Sequence, residues 1–129
     1  MDNTTRLRCL RIALIVVGLT FIFGVYLMME VIWPAGWSWE PRQHEYEQMI
    51  QGVYATLGVF LLLASRDPLA HGSLIWFTVW SSIVHGGIMA IQAIVDPVER
   101  PNLVGDVPAL FLVAIVLIVL MPKRQQATG

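Results

Sequence analysis

Charge is what this sequence has least of. Only 13% of its 129 residues are Asp, Glu, Lys or Arg, where an average soluble domain carries about 25%. So few charges cannot cover a globule of this size in water, and a mean hydropathy of +0.68 names lipid as the alternative solvent. Cysteine is nearly missing too: Cys9 stands alone and excludes an internal disulfide framework. It also precedes the first apolar run, the wrong place for lipid attachment after signal cleavage. A net charge of −1 offers no basic footprint for nucleic acid. The chain has no paired cysteines, no H-E-x-x-H, no glycine-rich phosphate loop and no serine nucleophile elbow, so no motif identifies a reaction, a cofactor or a transported molecule. Repeats and low-complexity tracts are absent, and the length fits a single domain, residues 1–129.

What the sequence does have is four long apolar runs. Crossing a hydrocarbon core takes roughly 20 apolar residues in helix. The runs cover about 10–33, 45–65, 69–95 and 103–121, and prolines 34, 68, 97 and 122 follow them. A proline cannot continue the helical ladder, so each is a stop signal. Arg6, Arg8 and Arg11 before an apolar run resemble a secretory signal. The stretch from Ile12 to Met29 is nevertheless longer than the usual h-region of about 7–15 residues, and no A-x-A-like cleavage site follows. It reads as a retained first helix. The fold expected is all-α: an antiparallel bundle of four transmembrane helices, successive helices being neighbours because the connections are short. Met1–Thr5 and Gln125–Gly129 read as polar tails.

Basic residues orient the bundle. Arg6, Arg8, Arg11, Arg66, Lys123 and Arg124, six of eight, fall on one side, with only Arg42 and Arg100 on the other. The richer side faces the cytoplasm by the positive-inside rule, which puts both termini there. Glu40, Glu45, Glu47, Asp96, Glu99 and Asp106 belong to the outer side, as does a belt of Trp33, Trp37 and Trp39.

Ionisable groups within membrane segments are costly and are therefore functional candidates. His85 falls about ten residues from the end of the third helix, or ~15 Å deep at 1.5 Å per residue. Glu30 lies within about one turn of the end of the first helix. Thr78, Ser82, His85, Met89 and Gln92 recur at helical spacing, flanked by the small residues Ser81, Gly86 and Gly87; Glu47, Gln51, Tyr54 and Gly58 form a second stripe. Antiparallel packing brings these stripes together. The candidate site is Glu30, Glu47, Gln51, Tyr54, His85 and Gln92, opening outward. Two readings stand for it: a ligand or proton site, or hydrogen-bonding glue between helices. His44 near Glu40, Glu45 and Glu47 lacks the spacing of a metal motif, so no metal is expected. Arg66, Asp67, Pro68 and His71 read as a structural turn, Asp67 capping the third helix with Pro68 at its first position.

Arg66-Asp67-Pro68-Leu69-Ala70-His71, Leu74-Ile75, Trp80-Ser81-Ser82 and His85-Gly86, with the first-loop tryptophans, make the chain resemble a family of small uncharacterised bacterial four-helix membrane proteins. In layout it resembles the DoxX-like group, some of which are linked to quinone-related redox work. The resemblance implies a multi-pass architecture in a bacterial inner membrane. Three functions remain open on these grounds. One is a non-catalytic accessory or assembly component of a larger membrane complex. Another is a homo-oligomeric proton-coupled transporter using Glu30 and His85. The third is a quinone- or haem-linked redox protein using His85 and Met89.

Overall fold

A computed structural model describes residues 2–38 and 41–122, which are helical with no strand among them. Helix α1 is Asn3–Ile32. The short α2, Pro34–Trp37, follows, then α3, His44–Ala64. A 3-10 turn, Pro68–His71, leads into α4, Gly72–Val95, and a second, Pro97–Leu103, precedes α5, Asp106–Leu120. Together with its 3-10 turns this makes four helical stretches long and apolar enough to cross a membrane. Their outward surfaces agree, since large apolar side chains such as Ile12, Phe23, Val53, Phe60, Phe77, Ile91 and Leu112 are exposed. A soluble monomer rarely shows so continuous an apolar surface.

The first and third connections lie at one end of the bundle (the connection end); the turn Pro68–His71 and the described ends of the chain lie at the other (the terminal end). The terminal half holds the tightest core, where Leu10, Leu14, Leu61, Ile75, Val79 and Leu117 are fully buried. On α1 the buried series continues through Val17, Phe21, Val25 and Met29. Each four-residue step overshoots a 3.6-residue α turn by about 40°. Two π-helical stretches, Thr20–Gly24 and Met28–Ile32, widen the helix there and absorb the overshoot, keeping one face inward.

Pairing is uneven. Helix α1 packs closely on α3, α4 closely on α5, and α1 also meets α5, whereas α3 and α4 approach each other sparsely despite the tight turn that joins them. Glycine explains the contrast. Gly18 and Gly58 let the α1 and α3 backbones nearly touch, and Gly86 lies against Leu110 and Phe111 of α5. Gly52 and Gly87 face open space, so neither draws a neighbour in.

Several expectations need correction. Asn3, Thr4 and Thr5 are helix rather than tail: Asp2 caps α1, its carboxylate accepting from the Thr5 N–H at 2.7 Å. That exposed cap holds the Asp2 carboxyl below its ordinary range. Gln125–Gly129 lie outside the described residues. The fourth helix is interrupted at Val104–Gly105, because the Gly105 backbone is pressed against the Gly36 carbonyl, where a Cβ would come within 2.0 Å. Pro68 does take the first helical position, yet the Asp67 side chain makes no cap bond; His71 Nδ1 instead donates to the Asp67 carbonyl at 2.9 Å. Trp37 turns inward against the core and leaves the expected belt, while Trp39, Glu40, Lys123 and Arg124 lie outside the described residues.

Candidate functional site

With the terminal half filled by core, space remains in the connection half. A cleft of about 680 Å³, mouth included, lies among all four long helices there. Helix α1 contributes Phe21, Val25 and Met29; α3 contributes Glu47 and Tyr54; α4 contributes His85 and Met89; α5 contributes Asp106, Ala109 and Leu110. Trp37 of α2 closes it from the connection end. The walls are mainly aliphatic and aromatic. Phe21 meets Tyr54 edge to face, centroids 5.0 Å apart, which holds both rings in place.

A charged cluster sits beside the cleft. Arg42 binds both carboxylates of a pair: its Nε donates to Glu47 Oε1 and Oε2 at 3.0 Å, and its Nη2 to Glu47 Oε2 at 2.8 Å and to both Glu30 oxygens at 3.2 Å. Gln51 Nε2 donates to Glu30 Oε1 at 3.0 Å. The fork geometry suits guanidinium and carboxylate, and the hydrogen bond to Glu47 raises the Arg42 pKa above its already high ordinary value. Glu30, His44 and Glu47 also bring one potential metal-ligand atom each within 4.8 Å of one another. Arg42 already occupies the space between the two carboxylates and offsets one of their two charges, and a metal would have to displace it.

Deeper in the bundle, the Tyr54 hydroxyl and His85 Nδ1 are hydrogen-bonded across the sparse α3–α4 gap. Their rings also stack, with centroids 5.8 Å apart. Among the described residues this pair is a direct polar link between α3 and α4. Tyr54→Phe removes only the hydroxyl and is expected to cost about 1 kcal/mol of stability, read from unfolding in mixed micelles. An unchanged unfolding curve would mean that His85 relies on another partner.

At the connection end, fully buried Asn102 donates through Nδ2 to the Ser38 carbonyl at 3.2 Å, the Glu99 carbonyl at 3.2 Å and Glu99 Oε2 at 3.1 Å. Ser38 Oγ in turn donates to the Met29 carbonyl at 3.1 Å. The first and third connections are thereby laced together over the cleft.

The six residues singled out from the sequence are divided by this arrangement. Glu30, Glu47 and Gln51 gather around Arg42, and Tyr54 meets His85. Glu30 does not partner His85. Gln92 is exposed and lines a separate groove with Pro41, Tyr46 and Asp96. Its departure follows from helix geometry: a seven-residue step falls about 20° short of two full turns, so Thr78 is buried, His85 half-buried and Gln92 outside. The hydroxyls of Thr78 and Ser81 bond to their own helix, at Leu74 and Thr78 carbonyls, and supply no glue between helices.

Sequence reasoning missed Arg42, Trp37 and Asp106 as site residues. Asp106 is only 7% exposed and Glu47 only 5%, so both acids are buried side chains rather than solvated ones. One signal was available: with acids outnumbering bases so heavily at this end, each base there has several carboxylates competing for it. The chain matches the model of a family described as a family of unknown function (DUF6632) over residues 4–127, and it belongs to that family. No curated protein and no solved structure matches it.

Proposed function

We propose that this family member is a non-catalytic accessory component of a bacterial inner membrane, crossing it four times with both termini cytoplasmic, and that its cleft binds a small lipophilic molecule. One observation carries the reading. Trp37 Nε1 and Asp106 Oδ1 are buried without a hydrogen-bond partner among the described residues, and both residues line the cleft. Interiors satisfy the large majority of such groups, and each one left over costs about 1–3 kcal/mol. A guest offering an acceptor to the indole and a donor or positive charge to the carboxylate would recover that loss. Mostly apolar walls with a few convergent polar groups are the usual make-up of a small-molecule site.

Orientation rests on the basic residues: Arg6, Arg8, Arg11 and Arg66 stand at the terminal end, against Arg42 and Arg100 at the other. The accessory role is supported by the way Arg42 is committed to Glu30 and Glu47, an arrangement suited to holding a shape. A proton-coupled transporter built on Glu30 and His85 has less support, since each is engaged by a different partner. The redox reading keeps one point in its favour, that His85 and Met89 both line the cleft.

The test uses the purified chain in detergent. Single-ring aromatics such as p-cresol are expected to raise its unfolding midpoint, by about 1.4 kcal/mol of stabilisation at ten times Kd. Ala109→Phe, which fills the cleft, is expected to abolish that rise. Equal rises in both forms would sink the proposal.

A further inference from the structure

We infer that the cleft is built for a small organic cation, with Asp106 as its counter-ion. This rests on the reading of the cleft as a binding site and adds the chemistry of the guest. Asp106 stands in the first turn of α5, where the positive end of the helix favours a carboxylate. It is more than nine-tenths buried, it lines the cleft, and its Oδ1 has no partner among the described residues.

The charges around the cleft all lean one way. Acidic Glu47 and Asp106 line it, and no Lys or Arg does. The nearest guanidinium, Arg42, faces two carboxylates at once, so Glu30, Glu47 and Arg42 together keep one net negative charge. Asp106 adds a carboxyl group to the same cleft, one that a bound cation would hold in its ionised form. The half-buried His85 ring is the basic group on the α4 side, and the Tyr54 hydroxyl engages its Nδ1. In surroundings of low dielectric such an excess strongly favours a positive guest and opposes an anion.

The walls decide what kind of cation. Phe21, Trp37 and Tyr54 offer three aromatic side chains, and aromatic faces attract cations that have shed their water. Met29 and Met89 add adaptable thioethers. A hydrated metal ion needs several oxygen ligands, and these apolar walls do not provide them. An alkylated or aromatic ammonium suits both the carboxylate and the rings.

The experiment is calorimetric titration of the full chain in neutral detergent, with empty micelles as blank. Benzyltrimethylammonium is compared with its uncharged isostere, neopentylbenzene. The cation is expected to bind roughly tenfold tighter or better. Asp106→Asn should erase that preference while leaving the neutral compound's affinity in place, and Asp106→Glu should retain it. Equal binding of the two compounds by the unaltered chain would overturn the cation assignment and leave the cleft reading standing. Persistence of the preference in Asp106→Asn would overturn the role of Asp106. Binding of neither compound would overturn both readings. The comparison on the unaltered chain decides the matter even if a variant fails to fold.

Discussion

Arg42→Ala is expected to destabilise the folded chain by about 2 kcal/mol, because it breaks a half-buried ion pair and leaves the buried Glu47 carboxylate without its partner. The loss is large because of what stays behind. Glu47 is 5% exposed and takes three of the guanidinium's hydrogen bonds. Glu30 would keep its bond from Gln51, but Glu47 would keep only a 4.0 Å approach from exposed His44. An unpaired buried carboxylate is relieved mainly by taking up a proton. Glu47→Gln in the Arg42→Ala background should therefore recover most of the loss, although Glu47→Gln alone is destabilising. The sign with pH follows from Arg42 itself. Its folded-state pKa is raised, so its share of stability is complete below the ordinary arginine value and is lost only as pH climbs through the higher folded one. That share is constant over the working range of the protein. Unfolding in mixed micelles measures these differences. A change below about 0.5 kcal/mol would place Arg42 among solvated surface pairs.

Gly58→Ala should cost about 2 kcal/mol, within the range seen when a packed interface is overfilled. The added Cβ would stand 2.5 Å from the Gly18 carbonyl oxygen and 2.8 Å from Ile22 Cγ1. The side chain of Ile22 can turn away, but the Gly18 oxygen is backbone, so α1 and α3 must separate. Close backbone approach through small residues is a main source of helix association in lipid, and the separation weakens it along the whole contact. Gly52→Ala on the same helix is the control. Its Cβ would meet nothing within 4 Å, and replacing glycine by alanine in a helix interior gains up to about 1 kcal/mol. Opposite signs for the two substitutions are the expected result of thermal unfolding in detergent. The same sign for both would mean that α1 and α3 do not meet at Gly18 and Gly58.

Much of this architecture could be read directly from the chain, because its signals are local. Apolar runs long enough for a bilayer and prolines 34, 68 and 97 at the turns each act within a few residues. The meeting of Tyr54 with His85, and of Glu30 with Glu47 and Gln51, followed from helical periodicity once the helices were taken as antiparallel. The misses share a cause. Gln92 belongs to the same stripe as His85 but has turned away, because a helix drifts relative to a seven-residue pattern. Trp37 and Asp106 sit beside turns whose direction depends on Gly36 meeting Gly105, a contact between residues far apart in the chain.

The amino-acid order by itself determined which segments are helical and which solvent they suit, since backbone hydrogen bonding and hydropathy act along a single segment. Tertiary structure alone decided which helices touch. It set α1 on α3 and α4 on α5, left a cleft in one half, and placed Arg42 between two carboxylates while Asp106 was buried without such a partner. Those outcomes depend on side-chain volumes and charges brought together from distant parts of the chain, and packing is a property of pairs of surfaces rather than of any one helix.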